Sequence, residues 1–329
     1  MRIHISLRRS MVPGALVGAA LLTAGACGGS TGTGASAADE EVEGDLSGTI
    51  RVDGSSTVAP LTTVAAQLFQ GQNPNVRVTV GTSGTGGGFE KFCAGETDIN
   101  DASRPIETDE KTDCEDNNIA YAQLQIANDG LSVVVNKDND WAQCLTVAQL
   151  KKIWEPGSKV TNWNQVDSKF PDEKLELFGP GTDSGTFDYF TETINGEEGA
   201  SRTDYSPSED DNVTVQGVSG SKGGMGYFGL SYYEENKDDL KILKINDGDG
   251  CVEPTTETVQ NGTYKPLSRP LFIYPKGSSL DKAEVEGFVD YYVENNADIA
   301  EKAQFVPLNS KQESTLNSEW NKLREQHTS

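Results

Sequence analysis

Three short loops of nearly the same chemistry recur along the chain: Gly54-Ser55-Ser56-Thr57, Ser83-Gly84-Thr85-Gly86 and Asp183-Ser184-Gly185-Thr186. Each follows a run with strand character: Thr49-Ile50-Arg51-Val52, Val76-Arg77-Val78-Thr79-Val80 and Leu175-Glu176-Leu177-Phe178. Each precedes apolar residues at helical spacing, namely Leu61, Val64, Ala65 and Leu68, then Phe89, Phe92 and Cys93, then Phe187, Phe190 and Ile194. A strand that turns through Gly, Ser and Thr into a helix aims backbone N–H groups and hydroxyls at one point, where the helix dipole is positive. One such loop is an ordinary helix cap, since Ser and Thr are preferred there. Three of them predict an α/β chain with a site for an oxyanion.

The segment Asp98-Ile99-Asn100-Asp101-Ala102-Ser103-Arg104-Pro105-Ile106 strengthens that expectation. It sets a guanidinium beside a hydroxyl in a loop stiffened by proline. Arginine presents a planar fork of donors that suits tetrahedral oxyanions as well as carboxylates. Catalysis, in contrast, has few candidates. His4 and His327 are the two histidines, one at each end of the chain, so the body lacks the usual neutral-pH base of Ser-His-Asp or Cys-His chemistry. There is no Gly-x-Ser-x-Gly elbow and no Gly-Lys-Ser/Thr phosphate loop. The expectation is a protein that binds without reacting, with no metal and no cofactor.

The ends describe an exported chain. Arg2, Arg8 and Arg9 precede the apolar stretch Val12 to Leu22, and small residues then lead to Cys27. Residues 1–26 read as a signal peptide and Cys27 as a lipidation site. The apolar run is shorter than the roughly 20 residues of a membrane span. Residues 27–46, rich in Gly, Ser, Thr, Ala and acids, read as a flexible tether. The expected location is therefore the outer face of the plasma membrane, or a periplasm. Four cysteines remain, Cys93, Cys114, Cys144 and Cys251, an even number for an oxidising compartment. Of the three possible pairings, closeness in sequence and in the expected lobes favours Cys93 with Cys114 and Cys144 with Cys251. A zinc site is the rival, but no Cys-x-x-Cys pair occurs.

The formal net charge is −24, and without Arg2, Arg8 and Arg9 it is −27. Such a chain repels nucleic acid and anionic lipid. An acidic shell does not forbid an anion site, because distant charges are screened within about 8–10 Å while local donors act at contact. Strands alternating with helices predict α/β lobes. Two later apolar runs, Leu131-Ser132-Val133-Val134-Val135 and Leu271-Phe272-Ile273-Tyr274, read as strands at a boundary. Crossings there would give one lobe from 47–130 and 270–329 and a second from 131–269. The first two loops and Arg104 then face Ser184-Gly185-Thr186 across a hinged cleft.

The ordered set Gly54-Ser55-Ser56-Thr57-Val58, Ser83-Gly84-Thr85-Gly86-Gly87-Gly88-Phe89, Ala102-Ser103-Arg104-Pro105-Ile106 and Asp183-Ser184-Gly185-Thr186-Phe187 resembles a known family. It is similar to the phosphate-binding lipoproteins of bacterial high-affinity phosphate ABC transporters. Glu209-Asp210-Asp211-Asn212, Val215-Gln216-Gly217-Val218 and Leu267-Ser268-Arg269-Pro270-Leu271 resemble the branch carrying Ser-Arg-Pro. The likeness spans essentially the whole mature body. It implies a two-lobe periplasmic-binding-protein fold of type II, each lobe a mixed sheet flanked by helices, joined by two hinge crossovers. It also implies a monomer that delivers inorganic phosphate to a membrane permease. Carried over residue by residue, the phosphate contacts are Ser56, Thr57, Val58, Ser83, Thr85, Gly86, Ser103, Arg104, Ser184, Gly185 and Thr186. The family's best-known members hold an Arg four residues before the second-lobe serine. Here Pro180 stands there, so Arg104 is expected to supply the guanidinium.

A carboxylate acceptor completes the expectation, because phosphate near neutrality carries a proton and sulfate carries none. An ionised carboxylate accepts that O–H and repels sulfate. The candidates are Asp211, Asp210 and Asp101. Two other readings use the same loops: a binding protein for another oxyanion (sulfate, molybdate or an organic phosphate), and a secreted phosphomonoesterase with Ser184 or Thr57 as nucleophile.

Overall fold

The computed structural model describes residues 46–328. The expected signal peptide, residues 27–45 of the expected tether and the lipidation cysteine Cys27 lie outside the described residues. The tether's last residue, Leu46, packs against the apolar core.

The first part of the chain builds a parallel arm of sheet. Strand β1 (Ser47–Gly54) lies between β2 (Asn75–Val80) and β3 (Ile99–Ala102) and runs parallel to both. Alternation on β1 buries Ile50 and Val52, as expected of a strand with one apolar face. The helix Ala59–Gln72 joins β1 to β2, with Pro60 in its first turn, where a missing N–H costs nothing. Its apolar stripe of Leu61, Ala65 and Phe69 is buried. The helix Gly84–Cys93 follows β2 in the same way.

Strand β4 (Leu124–Asn136) carries the chain into the second half. It is 13 residues long, and its run Leu131 to Val135 is fully buried, with the one polar residue, Ser132, donating its hydroxyl to the Phe228 carbonyl at 3.0 Å. The middle of the chain adds β5 (Cys144–Thr146), β6 (Glu176–Gly179), β7 (Ser206–Pro207), β8 (Gly224–Gly229), β9 (Leu240–Ile242), β10 (Lys244–Asn246) and β11 (Cys251–Val252). Strand β12 (Ser268–Pro275) returns antiparallel to both β3 and β4. One half of β4 therefore pairs with β12 and the other half with β8. The result is a curled nine-stranded mixed sheet in the order β2-β1-β3-β12-β4-β8-β6-β7, with β9 also on β4.

Two large apolar cores flank this sheet. One draws on residues 50–127 and 271–323, the other on residues 131–267 together with Val306. Val306 also pairs with Asn128 in an isolated antiparallel bridge, so a third stretch of chain meets the boundary marked by β4 and β12. Disulfides join Cys93 to Cys114, with sulfurs 1.99 Å apart, and Cys144 to Cys251, at 2.02 Å. The first ties Gly84–Cys93 to the helix Thr108–Asp116, and the second ties β5 to β11. Among the described residues no helix is long and apolar enough to cross a membrane.

Candidate functional site

All three Gly/Ser/Thr loops leave a strand and enter a helix: β1 into Ala59–Gln72, β2 into Gly84–Cys93 and β6 into Gly185–Phe190. In the first, the Ser55 N–H donates to the Asp101 carbonyl at 2.9 Å, and the Ser55 carbonyl accepts from Val58 and Ala59. Gly54 has φ 139°, and a Cβ on it would lie 2.0 Å from the Asp101 carbonyl oxygen, so only glycine fits this turn. In the third, Ser184 Oγ accepts from the Thr186 N–H at 3.2 Å and caps its helix. The first and third loops touch. Thr57 Oγ1 donates to the Gly185 carbonyl at 3.4 Å, and a Cβ on Gly185 would fall 2.7 Å from that same hydroxyl.

Arg269 stands at their junction. Its Nη2 donates to Thr57 Oγ1 at 2.9 Å, its Nε donates to Asp129 Oδ2 at 3.3 Å, and its guanidinium lies 3.6 Å from the centre of the Tyr189 ring. The antiparallel register of β12 on β4 sets Arg269 directly opposite Asp129. Both side chains are largely buried, at 13% and 6% exposure. Burial pushes the Asp129 carboxyl above the usual range, and the attraction of Arg269 with the Gly130 N–H offsets only part of this. Charge, fork and aromatic face together fix one guanidinium orientation.

A cleft of about 680 Å³ opens beside Arg269. Ser56, Ser83, Thr85, Gly86, Ser103 and Arg104 line it, facing Asp188, Tyr189 and Glu192. A second hollow of about 320 Å³ is lined by Thr57, Asp129, Ser184, Gly185, Thr186 and Asp211, with Ser56 shared between the two. The expected contacts therefore gather around the Thr57–Arg269 pair, with Val58 apart. Its side chain is fully buried and its N–H is spent on the Ser55 carbonyl at 3.2 Å.

Arg104 lies on the cleft wall with its fork already filled. Nη1 and Nη2 donate to the two oxygens of Glu110 at 2.8 and 2.7 Å, and Nε pairs with Glu107 at 3.2 Å. The acidic run after Pro105 forms the helix Thr108–Asp116, whose capping box of Glu107 and Glu110 brings those carboxylates to Arg104. The guanidinium that meets Thr57 is that of Arg269. Ser103 is held to the second loop, its N–H donating to Thr85 Oγ1 at 3.2 Å and its hydroxyl 3.0 Å from the same oxygen.

The three candidate acceptors occupy unlike places. Asp101 is fully buried, lines neither hollow and accepts the Thr62 hydroxyl on Oδ1 at 2.9 Å. Burial, with a smaller contribution from the Asp53 charge, pushes its carboxyl up to about 8. Asp210 is the cap of the helix Asp211–Gly220, accepting the Asn212 N–H at 3.0 Å. Asp211 lines the second hollow, and burial together with Asp210 and Glu209 pushes it up to about 6. A fourth carboxylate, Asp188, lines the main cleft and accepts from the Ser56 hydroxyl at 3.4 Å. Burial and Glu198 raise it, while Ser56 and Arg269 act in the opposite sense. Arg269, Asp129, Tyr189 and Asp188 escaped the sequence reading of the site. Ser268-Arg269-Pro270 was visible as a motif, but its partners meet it only through strand register and tertiary packing. No group of three or more His, Cys, Asp or Glu among the described residues is placed to hold a metal ion.

A curled mixed α/β sheet with a donor-rich cleft at its centre is the build of a solute-binding protein of the type II periplasmic fold. The family model described as the PBP superfamily domain (PBP_like_2) matches residues 37–296, and the chain belongs to that family. It is 49% identical over 265 residues to protein SphX of Synechococcus elongatus, covering 80% of this chain and 78% of that one. It is 42% identical over 293 residues to the phosphate-binding protein PstS of Staphylococcus haemolyticus, covering 88% of this chain and 90% of that one. Among solved structures it is similar to a possible phosphate binding protein from Planctomyces limnophilus, with TM-score 0.81 and 47% identity. That match covers 84% of this chain and 99% of the other.

Proposed function

We propose that the protein captures inorganic phosphate outside the cytoplasm and hands it to the membrane permease of an ABC transporter. The observation that carries this reading is the Arg269 guanidinium, bonded to Thr57, paired with Asp129 and stacked on Tyr189 where the first and third loops meet. A fixed fork beside helix N-termini is a preorganised oxyanion receptor, since little freedom is lost on binding. In this reading Thr57, Ser56, Thr85, Gly86 and Ser103 supply donors from one side, and Arg269 supplies its fork at the boundary strand β12. Ser184, Gly185 and Thr186 close from the other. The two lobes are 47–130 with 270–329, and 131–269. The division into two cores supports that assignment. Export with a lipid on Cys27, and action as a monomer, complete the proposal.

The residues at the cleft support binding without chemistry. Among the described residues no histidine lines the cleft, and His327, at the end of the helix Ser310–His327, pairs with Asp281 at 3.3 Å. Titration calorimetry with phosphate and with sulfate, at several pH values, tests the reading. Tight 1:1 phosphate binding with weak sulfate binding is expected, and small-angle scattering should show compaction at saturation. Equal affinity for the two anions would favour a general oxyanion binder. Hydrolysis of an aryl phosphate would favour an esterase.

A further inference from the structure

We propose that Asp53 is a positioning residue that keeps the N-terminus of the helix Gly84–Cys93 open to the anion by drawing the Ser83 hydroxyl away from it. The inference rests on the phosphate reading above and adds a residue that it does not assign.

Ser83 occupies the cap position of that helix. A serine there ordinarily turns its oxygen back to accept the N–H two or three residues on, here those of Thr85 and Gly86. It makes no such bond in this protein. Its hydroxyl donates instead to Asp53 Oδ1 at 2.6 Å, and its N–H goes to the same oxygen at 3.0 Å. Asp53 also accepts from the Gly54 N–H at 2.8 Å and from Lys91 Nζ at 2.6 Å. Lys91 lies in the same helix, so one carboxylate grips both the entry and the later turns of Gly84–Cys93. Gly81 makes room for it, because a Cβ there would sit 2.7 Å from Asp53 Oδ2.

The third loop supplies the contrast. Ser184 has a similar setting before its helix, yet its hydroxyl caps the Thr186 N–H. Among the described residues no carboxylate draws that hydroxyl off, and the Thr186 N–H is shared with its own cap. At the second loop the hydroxyl is diverted, and Thr85 and Gly86 line the cleft. Burial raises the Asp53 carboxyl, but Lys91, Ser83 and Gly54 outweigh it and hold the group below its ordinary value. It is therefore ionised at neutral pH and remains an acceptor for Ser83. An anion arriving in the cleft then meets N–H groups that it need not win from a serine.

The test is an epistasis experiment on the full body, read by calorimetric titration with inorganic phosphate. Asp53→Ala frees the Ser83 hydroxyl to cap the helix and should weaken phosphate binding about tenfold, the scale of one lost hydrogen bond to a charged group. Adding Ser83→Ala removes the competing hydroxyl and should recover at least half of that loss on a logarithmic scale. A role confined to bracing the loop predicts the reverse, since deleting a second polar group loosens it further. Asp53→Asn keeps an acceptor for Ser83 and should lose less than Asp53→Ala. If melting curves show that Asp53→Ala does not fold, Asp53→Leu, which fills the same space without an acceptor, is compared with and without Ser83→Ala and reads the same rescue. Binding by Asp53→Ala within twofold of the parent, or a double variant no tighter than the single one, overturns the proposal. A parent protein that ignores phosphate would instead sink the functional reading, and this inference with it.

Discussion

Arg269 and Asp129 face each other across a single antiparallel pair of strands, with Nε 3.3 Å from Oδ2 and both side chains largely buried. Two charges taken out of water are stable only when each satisfies the other and the remaining donors find partners. Here Nη2 takes Thr57 and the guanidinium face takes Tyr189. The pair lies on β12 and β4, the two strands that connect the halves of the sheet. Anything that binds Arg269 therefore acts where the two cores meet.

The first prediction concerns that arginine. Arg269→Ala should weaken phosphate binding by about 2–5 kcal/mol, the range for truncating one member of a buried charged pair. Arg269→Lys should recover little, because an ammonium cannot fill the fork and the aromatic stack together. Titration calorimetry with phosphate checks both. An Arg269→Ala protein that binds like the parent would move the receptor elsewhere.

Arg104 should behave differently. Its donors are committed to Glu110 and Glu107, and its side chain is 35% exposed. Arg104→Ala should change phosphate affinity by less than about 1 kcal/mol, as is common for a partly exposed ion pair. The same titration compares it with Arg269→Ala. Losses of equal size in the two variants would mean that Arg104 leaves Glu110 to reach the anion.

A third prediction comes from Asp101. Burial raises its carboxyl from about 3.8 to about 8 in the folded protein, with Oδ2 left without a partner. The folded chain thus holds a proton that the unfolded chain releases. Its contribution to stability is fully present below about pH 3.8 and is lost as pH rises toward 8. Asp101→Asn copies the shape of the neutral acid, keeps an acceptor for Thr62 and removes the titration. It should be more stable than the parent at pH 8, by on the order of 5 kcal/mol, and the gap should close toward pH 4. Denaturant melts of both proteins across that range give the answer, and a gap independent of pH would refute it.

The extent of legibility follows from the same residues. Each loop carries its own signal, a β-like run, a Gly/Ser/Thr turn and a helical apolar stripe, so all three strand–loop–helix units are readable locally. The largely apolar run from Leu131 to Val135, broken only by Ser132, likewise announces a strand. Arg269 is another matter. Nothing within a few residues of it distinguishes a receptor from a surface ion pair, and its three partners come from residues 57, 129 and 189. Arg104 has the more suggestive neighbours in sequence, but the helix capped by Glu107 and Glu110 uses up its donors. That outcome depends on where two glutamates point after folding. Asp101 likewise looks in sequence like a loop carboxylate near Arg104, whereas folding buries it fully on β3 with the Thr62 hydroxyl as its partner.

The last prediction concerns how a proton on the ligand is read. Phosphate near neutrality offers an O–H that an ionised carboxylate can accept, whereas sulfate offers only lone pairs. The acceptor must line the cleft beside Arg269. Asp101 is fully buried and takes the Thr62 hydroxyl, and Asp210 is occupied in capping its helix. Asp211 lines the second hollow, away from Ser83 and Ser103, while Asp188 lines the main cleft with them and already accepts the Ser56 hydroxyl. Asp188→Asn should therefore raise sulfate affinity relative to phosphate by about tenfold or more, because the amide can turn its N–H₂ to the anion and the repulsion is gone. Asp211→Asn should shift that ratio much less. Paired titrations with the two anions at one pH measure it directly. A larger shift in Asp211→Asn would place the bound anion in the second hollow, between Thr57 and Ser184. No shift in either variant would mean that cleft size and hydroxyl orientation exclude sulfate, with no carboxylate reading the proton.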